Sequence, residues 1–384
     1  MKSSTRRSFK KNIRFILFIC TLIVILGIVF TRFLPSPSNV SGPSKSLKSP
    51  EIEKILATND LAVRQENYKK LLERVGPVKA QEELFHSGIP YDGSAHLLNH
   101  EIGEWLYDKY SIKGIIYCKD YFLSSCYHGL LIEVIGQHGF EGLTQAMEAC
   151  NKVSQSVAVQ CAHGIGHGLL AWNGYKNLPK ALSDCEVVAA QSKNFSVYNC
   201  EDGIFMENNW AVHEDGVPSP DRWVSEADPT YPCYDDRIAE RFRKACWSNQ
   251  PQVMYKLFQG NIDKIVDECE NIKAKEYQEI CFDSIARQIN PVASGDPQKI
   301  FELCNKMPVG WKNFCVVSNV NALFSLGDEK TPFVVCSMIP ASGERRCYEL
   351  IQQRIRGNVQ NLQEKLRLCA MIPKDYRSTQ YCPQ

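Results

Sequence analysis

Paired cysteines at a nearly fixed period constrain this chain more than any other feature. Sixteen of its seventeen cysteines form eight successive couples, whose first members follow one another at steps of 32 to 36 residues, with one step of 48. Such a period is typical of stacked helical hairpins, because each hairpin buries its apolar face only against its neighbours. The couples are Cys118/Cys126, Cys150/Cys161, Cys185/Cys200, Cys233/Cys246, Cys269/Cys281, Cys304/Cys315, Cys336/Cys347 and Cys369/Cys382. We predict an all-α fold, an α/α solenoid of disulfide-linked helical hairpins.

Each repeat has the same order of segments. A helix ends near the first cysteine, a polar loop of variable length follows, and the second cysteine opens the next helix, as in CAHGIGHGLL and CYELIQQRI. Apolar residues after the second cysteine recur at helical spacing, for example Ile285 and Ile289. Loops that vary between constant helices are what a solenoid tolerates.

Two disulfide patterns fit these couples. Local pairing within each couple uses all sixteen cysteines, whereas staggered pairing, such as Cys126 with Cys150, leaves Cys118 and Cys382 over. Hairpin geometry allows both, and we favour local pairing because no cysteine of the sixteen is left unpaired. Regular, even-numbered cysteines also predict an oxidising compartment, since cytosolic thiols are kept reduced.

The first 34 residues predict a signal-anchor helix that precedes the repeats. Residues 15–34, which include Cys20, are mostly apolar and long enough to span a hydrocarbon core of ~30 Å. Residues 1–14 carry six positive charges and no acid, which favours a cytoplasmic N-terminus. A cleaved signal peptide is the alternative, although its apolar region would be shorter and no A-x-A-like site follows. We therefore predict a single-pass membrane protein with the bulk of the chain outside the cytoplasm.

The remaining chain divides by composition. Residues 35–50 are rich in Pro and Ser and predict a tether, and residues 51–117 predict an N-terminal helical cap. Ser49-Pro50 marks its first helix start, and Gly76-Pro77 a break. The repeats occupy residues 118–384, and the 48-residue step reflects an insertion at 209–232.

Charge argues against one class of partner. After residue 34 the chain has 37 basic and 43 acidic residues, a net of −6, with no clustered basic face. Nucleic-acid binding is therefore not expected. The partners we predict are the membrane, through the N-terminal helix, and a protein, peptide or glycan on the concave face of the solenoid.

The repeat skeleton carries a family resemblance. A-x-x-x-C, a polar loop and C-x-x-G opening a helix, as in ALSDCEVVAAQSKNFSVYNCEDG, resemble the secreted Sel1-like repeat proteins, which are TPR-like, over residues 118–384. The loops here are longer, and the glycine is missing from Cys246 onward. The resemblance implies a disulfide-stapled α/α solenoid that binds other molecules, and it carries no catalytic residue across. CAHGIGHG and CEDGIFMEN are also similar to strings in uncharacterised exported prokaryotic proteins.

Histidines concentrate in the first repeats. Seven of the eight lie between residues 86 and 167. His163 and His167 are four residues apart and share a helical face, as do His96 and His100. When three repeats are aligned on the second cysteine, a polar residue follows two places later and a glycine three places later; these are His128-Gly129, His163-Gly164 and Asp202-Gly203.

Converging imidazoles with nearby carboxylates are typical ligands of zinc and iron. The ligands we predict are His100, His128, His163, His167 and Glu207, with His96, Glu133 and Asp202 as further candidates. The expected function is an extracytoplasmic helical-repeat binding protein with this metal site. No catalytic residue is identified, because HEIGE lacks the second histidine of H-E-x-x-H.

Two alternatives stay open at the level of sequence. In the first alternative, the metal site belongs to a metal-dependent hydrolase or oxidase. In the second, the protein is a metal-free scaffold that binds a protein, peptide or glycan, and each histidine beside a glycine only forms a hydrogen bond with a loop carbonyl. The insertion at 209–232, with its four prolines, predicts a lid over the histidines, and a solvated acidic loop is the alternative.

Overall fold

The computed structural model describes residues 49–382 except 59, 88–93, 153–154, 192–194, 211–218, 326–327, 329 and 360. This part of the chain is helical and contains no strand. Its α-helices are α1 (Pro50–Leu56), α2 (Leu61–Val75), α3 (Pro77–Phe85), α4 (Ser94–Tyr110), α5 (Ser125–Cys150), α6 (Gln155–Asn173), α7 (Leu178–Gln191), α8 (Val197–Trp210), α9 (Arg243–Leu257), α10 (Ile262–Glu270), α11 (Lys275–Ala293), α12 (Pro297–Cys304), α13 (Lys312–Ser325), α14 (Thr331–Ser337), α15 (Ala341–Asn358) and α16 (Leu362–Ala370). The all-α prediction is confirmed for these residues.

The predicted membrane anchor falls outside the described part of the chain. Within that part, none of the helices combines the length and the apolar character that crossing a membrane requires. Residues 1–14 and 15–34, and the tether up to residue 48, are not among the described residues. The anchor therefore stays a prediction from sequence.

Local signals explain where the first helices begin and end. The Ser49 hydroxyl accepts a hydrogen bond from the backbone N–H of Ile52, and proline occupies the first position of α1. The Asp60 carboxylate caps α2 in the same way. Gly76, with a φ of 82°, separates α2 from α3. Each cap satisfies a backbone donor that the helix itself leaves unpaired, and these boundaries agree with the sequence signals.

Helix α4 and the helices that contain the second cysteines pack in chain order. Contacts join α4 to α5, α5 to α6, α6 to α8, α8 to α9, α9 to α11, α11 to α13 and α13 to α15. The helices before the first cysteine pack beside this row, with α7 against α6 and α8, and α12 against α11 and α13. Contacts between consecutive hairpins are what a repeat array requires.

Eight disulfide bonds join the cysteines within each couple, which is the local pattern. The paired Cα atoms lie 5.5 to 6.0 Å apart, as disulfides require. Each short bridged loop is expected to stabilise the fold by about 2–4 kcal/mol. So many disulfides are typical of proteins that fold in an oxidising environment outside the cytoplasm. The bonds are Cys118–Cys126, Cys150–Cys161, Cys185–Cys200, Cys233–Cys246, Cys269–Cys281, Cys304–Cys315, Cys336–Cys347 and Cys369–Cys382.

The prediction that the second cysteine opens a helix is wrong for most couples. The helix begins before that cysteine, which therefore lies inside the helix. For example, Pro340, an extended residue, directly precedes the first residue of α15, and Cys347 comes later in that helix. A disulfide requires only that two Cα atoms come within reach, and an early turn of a helix satisfies this as well as its first residue does. The second cysteines inside helices are Cys161 in α6, Cys200 in α8, Cys246 in α9, Cys281 in α11, Cys315 in α13 and Cys347 in α15.

Three further cysteines depart from the predicted layout of the repeat. Cys185 lies inside α7 because that helix continues to Gln191, and Cys233 lies in a run of turns after the insertion. Cys382 opens no helix. In addition, α5 bends at Gly139, where φ is 53° and ψ is −131°. This one long element therefore contains both the helix at Cys126 and the helix that ends at Cys150.

Candidate metal centre

Three neighbouring helices bring five histidines together. His96 and His100 lie one turn apart on α4, His128 lies near the start of α5, and His163 and His167 lie one turn apart on α6. The i, i+4 spacing places both rings of a pair on the same helical face. His100, His128, His163 and His167 are 0 to 7% exposed, so they lie in the interior, between packed helices.

Close approach of the backbones explains this interior position. A Cβ atom added to Gly129 would lie 2.3 Å from the His100 carbonyl oxygen, and one added to Gly203 would lie 2.0 Å from that of His163. Both distances are far below van der Waals contact, so any other residue would push the helices apart. These glycines follow the second cysteine by three places, and they bring the backbones of α4 and α5, and of α6 and α8, into direct contact.

The ring nitrogens of the five histidines form two groups of three that share His128. One group contains His96, His100 and His128, and the other contains His128, His163 and His167. In each group one nitrogen from every ring lies within 4.8 Å of the others. Either group could hold a metal ion.

Ring positions agree with this division. The His128 ring centroid lies 4.9 Å from that of His163 and 5.4 Å from that of His167. The same centroid lies 5.6 Å from the ring centroid of His96 and 5.7 Å from that of His100. The rings of His100 and His167, which belong to different groups, are 6.5 Å apart. His128 thus separates the two histidine pairs.

Carboxylates hold the two histidines of α6. Nδ1 of His167 lies 2.8 Å from Oε2 of Glu207, and Nδ1 of His163 lies 3.2 Å from Oδ2 of Asp202. A carboxylate accepts, so each Nδ1 carries the proton and each Nε2 carries a lone pair. Histidine ligands of metals are commonly held by a carboxylate in this way, which fixes the ring and makes the ligating nitrogen more basic.

Further hydrogen bonds hold the carboxylates themselves. The Tyr175 hydroxyl donates to Oε1 of Glu207 at 2.5 Å, and the Asn249 amide donates to Oδ1 of Asp202 at 2.8 Å. Burial alone would raise the pKa of Asp202, but its hydrogen bond to His163 and the attraction of that ring outweigh burial, so the pKa is lowered. Asp202 is therefore an ionised, fully anchored partner of His163.

On α4, a backbone carbonyl takes the place of the carboxylate and holds the ring of His96. Nδ1 of His96 lies 2.8 Å from the Phe122 carbonyl oxygen, so Nδ1 donates and Nε2 carries the lone pair. That Nε2 lies 2.9 Å from Nε2 of His100. Phe122, Leu123 and Ser124 all have positive φ, between 50° and 62°. Such conformations cost free energy and persist where the surrounding structure enforces them, often at functional sites.

His128 differs from the other four rings. Among the residues that the structure describes, neither Nδ1 nor Nε2 of this buried ring has a hydrogen-bond partner, and the same holds for Nε2 of His167. A neutral imidazole always carries one N–H, and burying that donor unpaired costs about 1–3 kcal/mol. Burial, with repulsion from the neighbouring histidines, lowers the pKa of His128 well below its usual value. Binding of a metal ion by this ring would remove that cost.

Burial favours the neutral form, which metal binding needs, at His96, His128 and His167. It lowers the pKa of His96 to about 4 and that of His167 well below its usual value. Nitrogen ligands of one tetrahedral zinc ion lie about 2.0–2.1 Å from the metal, hence about 3.3 Å from one another. Ligand nitrogens within 4.8 Å would converge on an ion after small side-chain rotations. These residues could therefore hold a metal ion through nitrogen ligands.

Of the predicted ligands, His100, His128, His163 and His167 are brought together, and His96 joins them. Glu207 and Asp202 are bonded to Nδ1 atoms, so they position ligands rather than join either group of three. Glu133 is not part of the cluster: it accepts a hydrogen bond from Gln137, one turn further along α5. Glu133 follows Cys126 by seven residues and His128 follows it by two, so the two side chains lie on different faces of α5.

Sequence reasoning missed the groups that hold the ligands. The Phe122 carbonyl, Tyr175 and Asn249 come from segments before α5, between α6 and α7, and on α9. Asn249 does stand three places after Cys246, the repeat position that glycine occupies beside the histidines, but Phe122 and Tyr175 have no such relation. Only packing brings all three against the ligands or their carboxylates. Two histidines outside the predicted set, His86 and His138, are exposed.

The insertion packs against the end of α8. The backbone N–H of Trp223 donates to Oδ1 of Asn208, and the Asn208 amide donates back to the Trp223 carbonyl, at 2.8 and 2.9 Å. The Arg237 guanidinium lies 4.1 Å from the centroid of the Trp223 ring. The part of the insertion at 211–218 is not described. The predicted lid over the histidines therefore stays a prediction.

Comparison with known proteins adds no assignment. No protein-family model matches the chain, and no curated protein or solved structure is significantly similar to it.

Proposed function

We propose that this chain is a membrane-anchored, extracytoplasmic binding protein that holds a divalent transition metal, zinc or iron, in its histidine cluster. The observation that carries the proposal is the pair of converging histidine groups whose Nδ1 atoms on His163, His167 and His96 are bonded to fixed acceptors. Each of these rings presents the lone pair of Nε2 to a metal. Imidazole nitrogen is a ligand that both zinc and iron accept.

The proposed location rests on sequence and disulfides together. The apolar residues 15–34 would anchor the chain, and the basic residues 1–14 would stay in the cytoplasm. The eight disulfides agree with export of the remaining chain. A reporter enzyme that is active only in the cytoplasm, fused after Gln384, should be inactive, and activity would contradict this topology.

Binding of a protein, peptide or glycan by the helical repeats is part of the same proposal. Its support is the succession of hairpin contacts from α4 to α15 and the likeness of the repeat skeleton to Sel1-like proteins. Stacked hairpins form extended surfaces that commonly bind other macromolecules.

A metal-dependent hydrolase or oxidase is the second candidate function. The observation that favours it is that each group offers three nitrogens rather than four. Structural zinc sites usually have four protein ligands, whereas catalytic sites have three and keep one position for water or substrate. His96 is partly exposed, so the cluster has a side from which a small molecule can approach.

Titration of the full-length protein with Co²⁺ tests the metal site directly. After removal of bound metal by a chelator, Co²⁺ should produce visible absorption bands of a nitrogen-coordinated ion, and Zn²⁺ should abolish them by displacement. The variant His86→Ala removes an exposed histidine and should give the same spectrum. Absence of these bands in wild-type protein that retains its eight disulfides would contradict the proposed function.

A further inference from the structure

The position of His128 between the two histidine groups suggests more than a single metal ion. We infer that the cluster is a dinuclear centre in which the His128 ring, as an imidazolate, bridges two divalent transition metals. This inference rests on the proposed function and deepens it, because it states how many ions bind and how they are joined. His96 and His100 would complete one half of the centre, and His163 and His167 the other.

The first support is the division of the ligand nitrogens. They form two groups of three with one shared ring, not a single group of five. The rings of His100 and His167, one from each group, lie 6.5 Å apart. Two ions on the two nitrogens of one imidazole lie about 6 Å apart, given metal–nitrogen distances of about 2.0–2.1 Å and the width of the ring. Each group of three nitrogens, with His128 shared, therefore offers a place for one ion of such a pair.

The second support is the pattern of hydrogen bonds at the rings. His163 and His167 use Nδ1 for hydrogen bonds to Asp202 and Glu207, and His96 uses Nδ1 for one to Phe122. Nε2 of His96 also lies 2.9 Å from Nε2 of His100, in a hydrogen bond that a metal ion bound by both nitrogens would replace. His128 is buried and, within the described residues, has no hydrogen-bond partner at Nδ1 or at Nε2. A ring that binds one metal normally donates its other N–H to a second group. His128 has both nitrogens available, as a bridging ligand requires.

The bridge has a defined proton balance. A neutral imidazole has one lone pair and binds one ion. When the second ion binds, the N–H bond of His128 breaks, its electron pair forms the new metal–nitrogen bond, and the proton leaves to water. Metal binding to protonated ligands releases protons in general. No oxidation or reduction takes place in this step.

A negatively charged bridge also suits a buried site. Four of the five histidines are buried, and two divalent ions would bring four positive charges among them. Buried charges are costly unless they are paired, so the negative charge of an imidazolate between the two ions would stabilise the loaded centre.

Copper is a suitable probe because two Cu²⁺ ions joined by one imidazolate couple magnetically and lose most of their paramagnetic resonance signal. Full-length protein, stripped with a chelator and loaded with Cu²⁺, should bind two copper ions per chain and give far fewer spins than copper atoms. His96→Ala and His163→Ala should each bind one copper ion with a full spin. His86→Ala, the control at an exposed histidine, should keep two coupled ions.

Each other result has a distinct meaning. Two bound ions with a full count of spins would overturn the bridge, and one ion in the wild-type protein would overturn the dinuclear centre while the proposed function stands. No bound copper would overturn both. His128→Ala should abolish the coupling; if that variant does not fold, the comparison of copper atoms with spins in the wild-type protein still decides the inference.

Discussion

The two halves of the helical row differ in how they accommodate buried polar groups. From α4 to α8 the interior contains histidines whose ring nitrogens lie near one another. From α9 to α15 it contains amides that donate to backbone carbonyls: Asn319 to Ala286 and Cys315, and Gln352 to Tyr348 and Tyr376. Among the described residues of this second half, Asn290 also lacks a side-chain hydrogen-bond partner. What distinguishes the first half, within the described residues, is that several ring nitrogens lie close enough together to share an ion.

One position in the repeat accounts for much of this difference. Three places after the second cysteine the first repeats have Gly129, Gly164 and Gly203, whereas the later repeats have Asn249, Ser284, Ser318 and Leu350. Glycine lets the helix backbones touch and brings imidazoles from different helices together. A side chain larger than glycine at this position does not allow so close an approach. Glycine and histidine therefore occur together in the half of the row that contains the candidate metal centre.

The largest expected effect is loss of the metal when both histidines of α6 are removed. The double variant His163→Ala/His167→Ala deletes two of the three ligands in one group, so elemental analysis should find that this half of the centre binds no metal. The disulfide-bonded fold should persist, as measured by far-UV circular dichroism. The matched control, His86→Ala/His138→Ala, removes two exposed histidines and should keep its full metal content.

The contrary outcome is also informative. If the double variant unfolds and the wild-type protein contains no metal, the histidines of α6 have a structural role. The two halves of the row would then not differ in function.

The second effect concerns Glu207, which lies outside both histidine groups but holds Nδ1 of His167. Glu207→Gln removes the negative charge behind the ligand, and loss of such a partner typically weakens metal binding 10–100-fold, by about 1.4–2.7 kcal/mol. Competition with a chromophoric chelator measures this change. Glu186→Gln is the control, because Glu186 pairs with Arg241 at the surface. Equal affinities in the two variants would contradict the positioning role.

The third effect should appear in the other half of the row and leave the metal untouched. Asn319→Ala leaves the carbonyls of Ala286 and Cys315 without their side-chain donor in the interior. We expect a loss of about 2 kcal/mol in the free energy of unfolding, measured with denaturant, at unchanged metal content. Asn313→Ala, at an exposed site on the same helix, should be near neutral. A change in metal affinity in Asn319→Ala would contradict the separation of the two halves.

The smallest effect is a pH dependence at α4. Burial, and then repulsion from Glu101, raise the pKa of Glu104 to about 7. Because the folded pKa lies above the unfolded one, its contribution to stability is full below about pH 4.5 and is lost as pH rises through 7. Glu104→Gln should therefore be more stable than wild type by about 1 kcal/mol at pH 8 and similar at pH 4.5. Thermal unfolding at both pH values measures this, and equal melting temperatures at pH 8 would contradict the raised pKa.

The regular features of the fold could be predicted from the sequence. Cysteine spacing indicated the helical class and the local disulfides, and Ser49-Pro50 and Gly76-Pro77 marked the boundaries of the first helices. These features depend on residues that are near one another in the chain.

Helix boundaries at the cysteines could not be predicted in the same way. Cys185 lies inside a helix that continues past it, and Cys161 and Cys281 lie inside helices that begin before them. The sequence prediction takes each cysteine as the end or the start of a helix. A disulfide, however, constrains the geometry between its two cysteines and not the residue at which a helix begins. Where each helix begins depends instead on the loop and on how the hairpin packs against its neighbours.

The candidate site was predictable in its ligands but not in their roles. The spacing of His163 and His167 on one face identified them, and counting from the cysteine brought in His128. The number of residues from the cysteine does not show that Glu207 is hydrogen-bonded to Nδ1 of His167 and is not in either group of three. Nor does it show that the Glu133 carboxylate is bonded to Gln137, away from the histidines. It also gave no sign of Tyr175, because a hydrogen-bond partner 32 residues away in the chain is fixed only by helix packing.

The most direct test of the central claim is elemental analysis of the full-length protein, purified with a tag that contains no histidine and without added metal. The account predicts zinc or iron in a stoichiometric amount, one or two ions per chain, which dialysis against buffer does not remove. Correctly disulfide-bonded protein that contains no transition metal, and binds none when zinc or iron is supplied, would contradict the account.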